Sequence, residues 1–434
     1  ARSLQYLHQV FPADYDFAPQ TFVMPFDKAQ MLQTLTDEPD SLWIEKPYAQ
    51  SRGRGITVWS AGDKDKLLAK ISQPRPELHP DLQNTPIKLK RPADPSEVVV
   101  QRYIAQPYLI DGLKFDLRLY VVVTSFDPLC CYIFNQGLGR FCTSKYSSDH
   151  STVTDHFVHL TNSSVNKYSE HYEKNTSMDD MSHGSKRSYT SVLAQMAADG
   201  VDVPAVKAAI NDIIVKTLLV VSPHSHYASK ECGMHRSQGF ELYGIDIMID
   251  KDLNPKILEL NFSPDISAAM PMDKLIKGIL VADTLHLAGI KCPPHAMKAA
   301  EAAGMSTTSP TATTSTNDSS TSSSKASISD EQDMANFLVE LEERSFRSGH
   351  FERMFPVDAA QVRHYSQFVE KLGGLTSTNT EAEATGPCTD AEIPEFPVVV
   401  ERVTRRYNIL ADLMDSTSSS TKATTNASDV AEAL

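Results

Sequence analysis

Two neighbouring stretches of the sequence, residues 240–250 and 255–264, constrain the fold more than any other feature. The first alternates apolar and other side chains and then becomes continuously apolar, which is the pattern of a half-buried strand. A short turn separates it from the second stretch, where Glu259 and Asn261 are two positions apart and therefore share one face of a strand. If the two strands pair, Asp246 can converge with Glu259 and Asn261 on one point.

Two carboxylates and one amide form an all-oxygen ligand set of the kind that binds Mg²⁺ together with nucleotide phosphates. The same residues are also compatible with an exposed hairpin whose polar side chains are simply solvated. The apolar neighbours of Asp246 and Glu259 favour the metal site, because an unpaired carboxylate is costly to bury.

A loop with two glycines, residues 51–56, connects a strand predicted over residues 41–47 to another that begins at Ile56. Glycine lets backbone amides approach a phosphate, and arginine adds charge-assisted hydrogen bonds. Arg52 and Gly53 therefore fit a flap over a nucleotide. The loop matches neither the Walker A nor the GxGxxG pattern, and an ordinary basic hairpin turn is the alternative.

Two further strands carry polar residues that fit the same kind of site. The strand predicted over residues 97–104 would present its end, with Gln101, to an adenine edge; the alternative for Gln101 is an outward-facing strand residue. A later strand places Lys114, Asp116 and Arg118 on one face and apolar residues on the other. That face would grip an anionic substrate beside a base, or it is the ordinary charged face of an edge strand.

Polar residues also follow a Gly-Leu-Gly turn and occupy an irregular segment downstream. Arg140 comes directly after the turn, at the start of a strand, where the alternative to a site residue is a solvated turn residue. The segment 156–167 contains Thr161 and Asn162, which would line a pocket, although its composition fits a surface loop.

Length and charge limit the classes of protein to which the chain can belong. The chain has 434 residues, 41% of them hydrophobic, which allows two or three domains. Residues 301–434 hold 10 Lys and Arg against 21 Asp and Glu, so −11 of the net charge of −14 lies there. We expect no nucleic-acid partner, since there is no basic surplus, and no membrane partner, since no apolar run has transmembrane length. The cysteines form no CxxC pair, which favours a reducing, cytosolic compartment.

The chain is expected to contain five segments. One of them, the Ser/Thr-rich stretch at residues 305–330, is too poor in apolar residues to fold by itself. Helices are predicted over residues 188–198, 206–221 and 272–289, and residues 169–190 are expected to form a mobile insertion. The segments are the end of an N-terminal or linker region (1–40), a core (41–295), a disordered linker (305–330), a helical segment that docks on the core (331–372) and a mostly low-complexity tail (373–434).

Eight motifs in a fixed order give the chain a family resemblance. The motifs are Trp43-Ile-Glu-Lys-Pro47, Ser51-Arg-Gly-Arg-Gly55, Gln101-Arg-Tyr-Ile104, Lys114-Phe-Asp-Leu-Arg-Leu-Tyr120, Gly139-Arg-Phe141, His159-Leu-Thr-Asn162, Glu241-Leu-Tyr-Gly-Ile-Asp246 and Leu258-Glu-Leu-Asn-Phe-Ser-Pro264. The series resembles the tubulin tyrosine ligase-like family over about residues 9–290. The segment 240–244 and a weaker match near 337–356 resemble its polyglutamylase branch.

The resemblance implies an α+β chain with an ATP-grasp fold, in which the nucleotide lies between two lobes, followed by a largely disordered acidic C-terminal extension. It also implies that the family's N-terminal segment is incomplete here. ATP and Mg²⁺ are the implied cofactors. The implied nucleotide-binding residues are Lys46, Arg52, Gly53, Gln101, Ile104, Lys114, Thr161 and Asn162. The implied metal ligands are Asp246, Glu259 and Asn261, and the implied catalytic residues are Lys114, Asp116, Arg118 and Arg140.

By the same resemblance, the chain joins free glutamate to glutamate side chains of tubulin C-terminal tails, in the cytoplasm and on the cytoskeleton, including a ciliary axoneme or basal body. The alternatives are a glycylase, a tyrosine ligase, a glutamylase of another protein, or an inactive protein that binds microtubules. One departure from the family pattern is Glu45 beside Lys46; it should point away from Lys46 on a strand. A second is that the core lacks the positive charge expected for acidic tubulin tails.

Overall fold

The computed structural model of the chain describes residues 2–24, 26–47, 53–63, 65, 69, 98–175, 181–268, 270–290, 329–373 and 396–432. Arg52 of the expected flap and most of the expected disordered linker lie outside these residues. The helices are α1 (Arg2–Val10), α2 (Lys28–Asp37), α3 (His156–His159), α4 (Ser163–Asn166), α5 (Tyr189–Ala198), α6 (Val203–Glu231), α7 (Pro271–Leu287), α8 (Asp330–Ser345), α9 (Ala359–Leu372) and α10 (Phe396–Glu432). The strands are β1 (Thr21–Met24), β2 (Leu42–Pro47), β3 (Thr57–Ser60), β4 (Val98–Arg102), β5 (Leu109–Ile110), β6 (Leu113–Phe126), β7 (Leu129–Phe141), β8 (Lys186–Ser188), β9 (Glu241–Ile249), β10 (Pro255–Phe262) and β11 (Phe351–Phe355).

The described strands form two antiparallel sheets, so the architecture is α+β, as predicted. The smaller sheet has the order β1-β4-β2-β3, and helix α2 covers one face through Met31 and Leu35. The larger sheet has the order β10-β9-β6-β7-β11, with β5 paired to β6 and β8 paired to β7.

Strand β6 lies in the middle of the larger sheet, between β9 and β7. It is 14 residues long and carries Lys114, Asp116 and Arg118 near its start. Lys114 and Asp116 are buried. The edge-strand interpretation of this charged face is therefore wrong, because both edges of β6 are paired and the charges face protein.

Helix α6 is longer than the sequence pattern predicted. The prediction ended at Val221, whereas the helix continues through Pro223 to Glu231. Proline removes one helical hydrogen bond, but Ser222 and Pro223 are buried, and the Ser222 hydroxyl donates to the carbonyl of Phe126 at 2.5 Å. Packing against the sheet thus holds the helix together across the proline.

The described part of the C-terminal extension packs onto the core. Strand β11 adds to the edge of the larger sheet beside β7. In α10, Val403, Tyr407 and Leu410 are buried in the same hydrophobic cluster as the sheet. The prediction for residues 373–434 was a mostly low-complexity tail without a helix, although the apolar residues of α10 recur at helical spacing.

Ion pairs fasten this extension to the core. The buried Arg406 of α10 contacts Asp127 at 3.0 Å, Asp330 at 3.3 Å and Asp333 at 2.5 Å. Arg236 reaches Asp333 as well. No helix in the described part of the chain is long and apolar enough to cross a membrane.

Candidate active site

A narrow cavity lies between the two sheets, where β2 and β4 of the smaller sheet face β6, β9 and β10 of the larger one. Its walls combine apolar side chains with a group of charged ones. The apolar side chains are Ile44, Ile56, Ile104, Leu160, Met248 and Leu258. A pocket lined by both apolar and charged side chains suits a ligand with a flat ring and an anionic tail.

Lys46 and Gln101 form the link between the two sheets. The Lys46 ammonium donates to Gln101 Oε1 at 2.8 Å and to the carbonyl of Leu258 on β10 at 3.3 Å. The Gln101 amide donates in turn to Thr21 Oγ1 at 3.0 Å. Gln101 is therefore a buried residue of the cavity and not a solvated one. Burial lowers the pKa of Lys46, although Glu259 and Asp246 oppose the effect.

Glu45 turns to the opposite side of β2, as expected for the neighbour of Lys46 on a strand. It is buried and accepts a hydrogen bond from the Trp59 indole at 3.2 Å. The departure from the family pattern at Glu45 thus leaves the cavity unchanged.

Lys114 is buried beneath the cavity with its ammonium held by protein oxygens. It donates to the Tyr103 hydroxyl at 2.6 Å and to the carbonyl of His159 at 3.0 Å. Burial, which disfavours the charged form, lowers the pKa of Lys114 to about 8 even though Asp116 lies nearby.

Asp116 and Arg140 form a bidentate ion pair across β6 and β7, where they are directly opposed. The turn predicted before Arg140 is wrong, because β7 runs unbroken from Leu129 to Phe141 and Arg140 is buried within it. Arg140 donates through Nε and Nη2 at 2.6 and 2.7 Å, and the Thr161 hydroxyl donates to Asp116 Oδ2 at 2.5 Å. Both oxygens of Asp116 are therefore engaged. The alternative of a surface loop for Thr161 is wrong, since Thr161 is buried.

Asp246 lies opposite Arg118 on the next strand and binds two guanidinium groups. Arg118 donates through Nε at 2.5 Å and Nη2 at 3.0 Å, and Arg140 Nη2 is 2.7 Å from Asp246 Oδ2. Burial favours the neutral acid, but Arg140 and Arg118 outweigh it and hold the pKa of Asp246 well below its usual range.

Glu259 and Asn261 face Asp246 from β10, which confirms the predicted pairing of the two strands. Glu259 pairs with Asp246 in the register, and Asn261 Nδ2 donates to Glu259 Oε1 at 2.9 Å. Desolvation in the cleft, together with the neighbouring Asp246 carboxylate, raises the pKa of Glu259.

These three residues fit a divalent cation of the hard, oxygen-preferring class. Two carboxylates that repel one another gain from a cation between them, and the pKa of Glu259 is raised by desolvation and, in addition, by the Asp246 carboxylate. Within the described residues no group of three or more His, Cys, Asp and Glu has metal-site geometry. The two carboxylates and one amide would thus supply part of a coordination shell, which is how Mg²⁺ is held beside nucleotide phosphates.

The loop expected to form a flap closes one side of the cavity. Gly53 has a φ of +71°, and a Cβ at this position would lie 3.0 Å from Val165 and 3.2 Å from Asn162. Glycine therefore allows both the backbone conformation and the close approach to the segment that contains Asn162.

A wider cleft of about 910 Å³ continues from the cavity and is rich in cations. Its lining includes seven Lys and Arg against three Asp and Glu, namely Lys46, Arg54, Arg118, Arg140, Lys167, Lys186 and Lys277 against Glu259, Asp265 and Asp273. The cleft therefore has a local excess of positive charge, although the core as a whole does not.

Two of these cations were missed by sequence reasoning. Lys186 lies in the expected mobile insertion, but β8 pairs with β7 and places Lys186 opposite Arg140. Lys277 lies on α7, where its ammonium donates to the carbonyl of Ser267 at 2.7 Å, and burial lowers its pKa. Both face Asp273, which Lys186 contacts at 2.9 and 3.1 Å. In the sequence, the only sign of this cluster is the four-residue spacing of Asp273 and Lys277, which places the two side chains on the same face of a helix.

Comparison with known proteins agrees with this arrangement. The model of the tubulin-tyrosine ligase family matches residues 1–300. The chain belongs to this family.

Named relatives within the family are glutamylating enzymes. Human tubulin polyglutamylase TTLL5 is 35% identical over 286 residues, which cover 66% of this chain and 20% of that protein. Human tubulin monoglutamylase TTLL4 is 32% identical over 382 residues, covering 82% of this chain and 29% of that protein. A probable beta-tubulin polyglutamylase of Tetrahymena thermophila is 34% identical over 300 residues, covering 67% of this chain and 23% of that protein. The chain thus spans less than a third of the length of these relatives.

The tubulin-tyrosine ligase fold of this chain brings the predicted site residues together. Apart from Arg52, which lies outside the described residues, every site residue predicted from the sequence lines one of the two connected cavities. They come from both sheets, from the segment just after β4, from the loop between β2 and β3, and from the short connection between α3 and α4. Their roles in binding and catalysis are a matter for proposal.

Proposed function

We propose that the chain contains the catalytic core of an ATP-dependent ligase that joins the amino group of free glutamate to glutamate side chains of tubulin C-terminal tails. The carrying observation is that Asp246 and Glu259 face each other beside Arg118 and Arg140, at a cavity between the two sheets that is lined by apolar as well as charged side chains. The glutamylase names of its relatives support the choice of reaction. The proposed acceptor places the protein on microtubules of the cytoplasm or of a cilium.

The cavity between the sheets is the proposed nucleotide site of an ATP-grasp fold. The apolar side chains would cover the adenine, with Gln101 and Ile104 at its edge. Lys46 and Lys114 are the buried cations closest to this path, and they would contact the phosphates. Asp246, Glu259 and Asn261 would hold Mg²⁺, which supplies positive charge that stabilises the transferring phosphoryl group.

The chemistry begins with a carboxylate, which is by itself a poor acylating agent. A side-chain carboxylate of the acceptor attacks the γ-phosphorus of ATP, the bond to the bridging oxygen breaks, and ADP leaves. The product is an acyl phosphate. The neutral amine of the donor glutamate then attacks the acyl carbon, inorganic phosphate leaves, and an amide bond forms after loss of a proton.

Arg118 and Arg140 are positioned to stabilise the negative charge that develops in both steps. Their planar guanidinium groups match the oxygens of a phosphoryl group or a tetrahedral intermediate. Asp116 orients Arg140 in this scheme, because Arg140 donates to both of its oxygens and Thr161 donates to one of them.

The wider cleft favours glutamate over the other donors of the family. Free glutamate carries two carboxylates, and Lys186 and Lys277 add positive charge at the end of the cleft away from the nucleotide cavity. Glycine has one carboxylate, and tyrosine requires an apolar pocket for its ring. We propose that Lys277 binds a carboxylate of the donor, since its ammonium is buried and donates to a single backbone carbonyl among the hydrogen bonds described.

The experiment is mass spectrometry of tubulin after incubation with the chain, ATP, Mg²⁺ and either glutamate, glycine or tyrosine. We expect a series of glutamate mass increments on C-terminal tail peptides, absent in the Glu259→Gln variant. Increments with glycine or tyrosine would contradict the donor assignment. Incorporation by Glu259→Gln at the rate of the unmodified chain would contradict the metal assignment.

A further inference from the structure

A line of hydrogen bonds, buried at its Lys114 end and exposed at its far end, runs from Lys114 along the cavity wall through Tyr103 and His159. The Lys114 ammonium is 2.6 Å from the Tyr103 hydroxyl, which is 2.8 Å from His159 Nδ1. On the other side of the ring, His159 Nε2 is 3.0 Å from the Thr152 hydroxyl. Thr152 in turn donates to the carbonyl of Asp149 at 2.8 Å. Four side chains are thus connected in one line.

The two ends of this line determine the position of each proton. An ammonium can only donate, so the Tyr103 oxygen accepts from Lys114. At the other end a backbone carbonyl can only accept, so Thr152 donates to the carbonyl of Asp149 and its oxygen accepts from His159 Nε2–H. The neutral ring then accepts at Nδ1, and the Tyr103 hydroxyl, which also interacts with Tyr146, donates to it. Every bond points away from Lys114, and His159 is neutral.

We propose that Tyr103 and His159 are positioning residues that fix the Lys114 ammonium against the nucleotide site, and that His159 does so as the neutral Nε2–H tautomer. This inference rests on the proposed nucleotide site, because the task of Lys114 is to bind phosphate. Neither residue is expected to touch the phosphates.

The surroundings of the line agree with this role. Burial and the charge of Lys114 lower the pKa of His159 to about 4, so the ring is neutral at physiological pH. The Lys114 ammonium also lies 4.0 Å from the centre of the Tyr103 ring. The charged or titratable groups that face Lys114 and His159 are Lys46, Asp116, Cys142, Tyr146 and Asp155.

Tyr103 also connects this line to the adenine end of the cavity. It lies between Gln101 and Ile104, the residues proposed to meet the adenine edge. The same short segment would therefore position both the base and the lysine that meets the phosphates. Loss of the Tyr103 hydroxyl would leave the buried Lys114 ammonium with one oxygen partner fewer, which disfavours its charged form.

The proton order can be tested without nucleotide. The side-chain ¹⁵N resonances of the 14 histidines are recorded at pH 7, with His159→Gln used to assign His159. We expect the Nε2–H tautomer with Nδ1 as an acceptor. An Nδ1–H tautomer or an imidazolium at this pH would overturn the inference, even if the chain binds ATP as proposed.

The positioning role is tested by measuring the affinity for ATP and Mg²⁺ from pH 6 to 9. Affinity should fall on the alkaline side as Lys114 loses its proton. In Tyr103→Phe, which keeps the ring, this fall should begin about half a pH unit or more lower. Tyr108→Phe is the matched control, since its hydroxyl donates to Asp199 at 2.8 Å and contacts no residue of the line.

The possible results of this measurement distinguish the positioning role of Tyr103 from the proposed nucleotide site. A loss of affinity in Tyr103→Phe that is equal at all pH values, or no loss, would overturn the positioning role. An equal alkaline shift in Tyr108→Phe would do the same, because it would show a general effect of removing a tyrosine hydroxyl. An unmodified chain that binds no ATP would overturn the proposed function and, with it, the nucleotide part of this inference.

Discussion

Replacing Glu259 by glutamine should stabilise the nucleotide-free chain while abolishing its response to Mg²⁺ and ATP. Glu259 and Asp246 are paired across β10 and β9, and desolvation together with the Asp246 carboxylate disfavours the charge of Glu259. Glutamine keeps the size of the side chain and can still accept the hydrogen bond from Asn261. The substitution therefore removes the desolvated charge, the repulsion and one metal ligand, at the cost of a weaker attraction to Lys46.

The size of the stabilisation follows from the position of the two groups. Two unit charges at about 4 Å in an effective dielectric of about 20 repel by about 4 kcal/mol. Glu259 opens to the cleft, where solvent screens it, so we expect a gain of no more than about 1 kcal/mol in the free energy of unfolding. For a chain of this size, that corresponds to an increase of about 1–2 °C in Tm.

The stabilisation should depend on pH. The pKa of Glu259 is raised in the folded chain, so the charged carboxylate destabilises the fold. Below the unfolded-state pKa of about 4.3, both states are protonated and the variant should match the unmodified chain. The difference should grow as the pH rises through that value and be complete above the raised pKa of the folded state.

The assay is thermal unfolding at several pH values, with and without Mg²⁺ and ATP. At a ligand concentration of about 100 times Kd, binding should stabilise the unmodified chain by about 2.7 kcal/mol, and this gain should be lost in Glu259→Gln. Glu352→Gln, an exposed change on β11, is the matched control and should retain it. A nucleotide-free Glu259→Gln chain that is less stable than the unmodified one would refute the repulsion argument.

Three further substitutions test other parts of the structure. Lys277→Met should raise the KM for glutamate by about tenfold or more, the value of one charged hydrogen bond, and leave the KM for ATP nearly unchanged in steady-state kinetics. Arg406→Met should lower the free energy of unfolding by about 3 kcal/mol or more in urea, because buried carboxylates lose their partner; the exposed Arg363→Met should lower it by less than about 1 kcal/mol. Gly349→Ala should lower it by about 1–3 kcal/mol, since φ is +55° and the added Cβ would lie 2.6 Å from the Asp283 carboxyl carbon.

The parts of the site that could be predicted from the sequence depend on local spacing. The two-residue separation of Glu259 and Asn261 fixes their common face, and a short turn brings Asp246 opposite Glu259. Lys114, Asp116 and Arg118 share a face for the same reason. The order of motifs along the chain then supported a single nucleotide site.

The parts that could not be predicted depend on contacts between distant segments. The pattern of β6 gives the same alternation for an edge strand as for a central one, and only its pairing with β7 and β9 buries its charges. Lys186 reaches the cleft because a three-residue strand joins the sheet. Helix α10 is held by buried apolar residues and by Arg406, whose carboxylate partners lie more than 70 residues away in the sequence.

The charges at the site indicate where a cation would act. Four cations and three carboxylates meet there, namely Lys46, Lys114, Arg118 and Arg140 with Asp116, Asp246 and Glu259. Asp116 and Asp246 are each bound by guanidinium groups, whereas Glu259 is repelled by its neighbour and has a raised pKa. Glu259 is therefore the carboxylate with the most to gain from a divalent cation. Folding has already desolvated and aligned the arginines beside it, so a phosphoryl group entering with that cation would meet donors that need no further reorganisation.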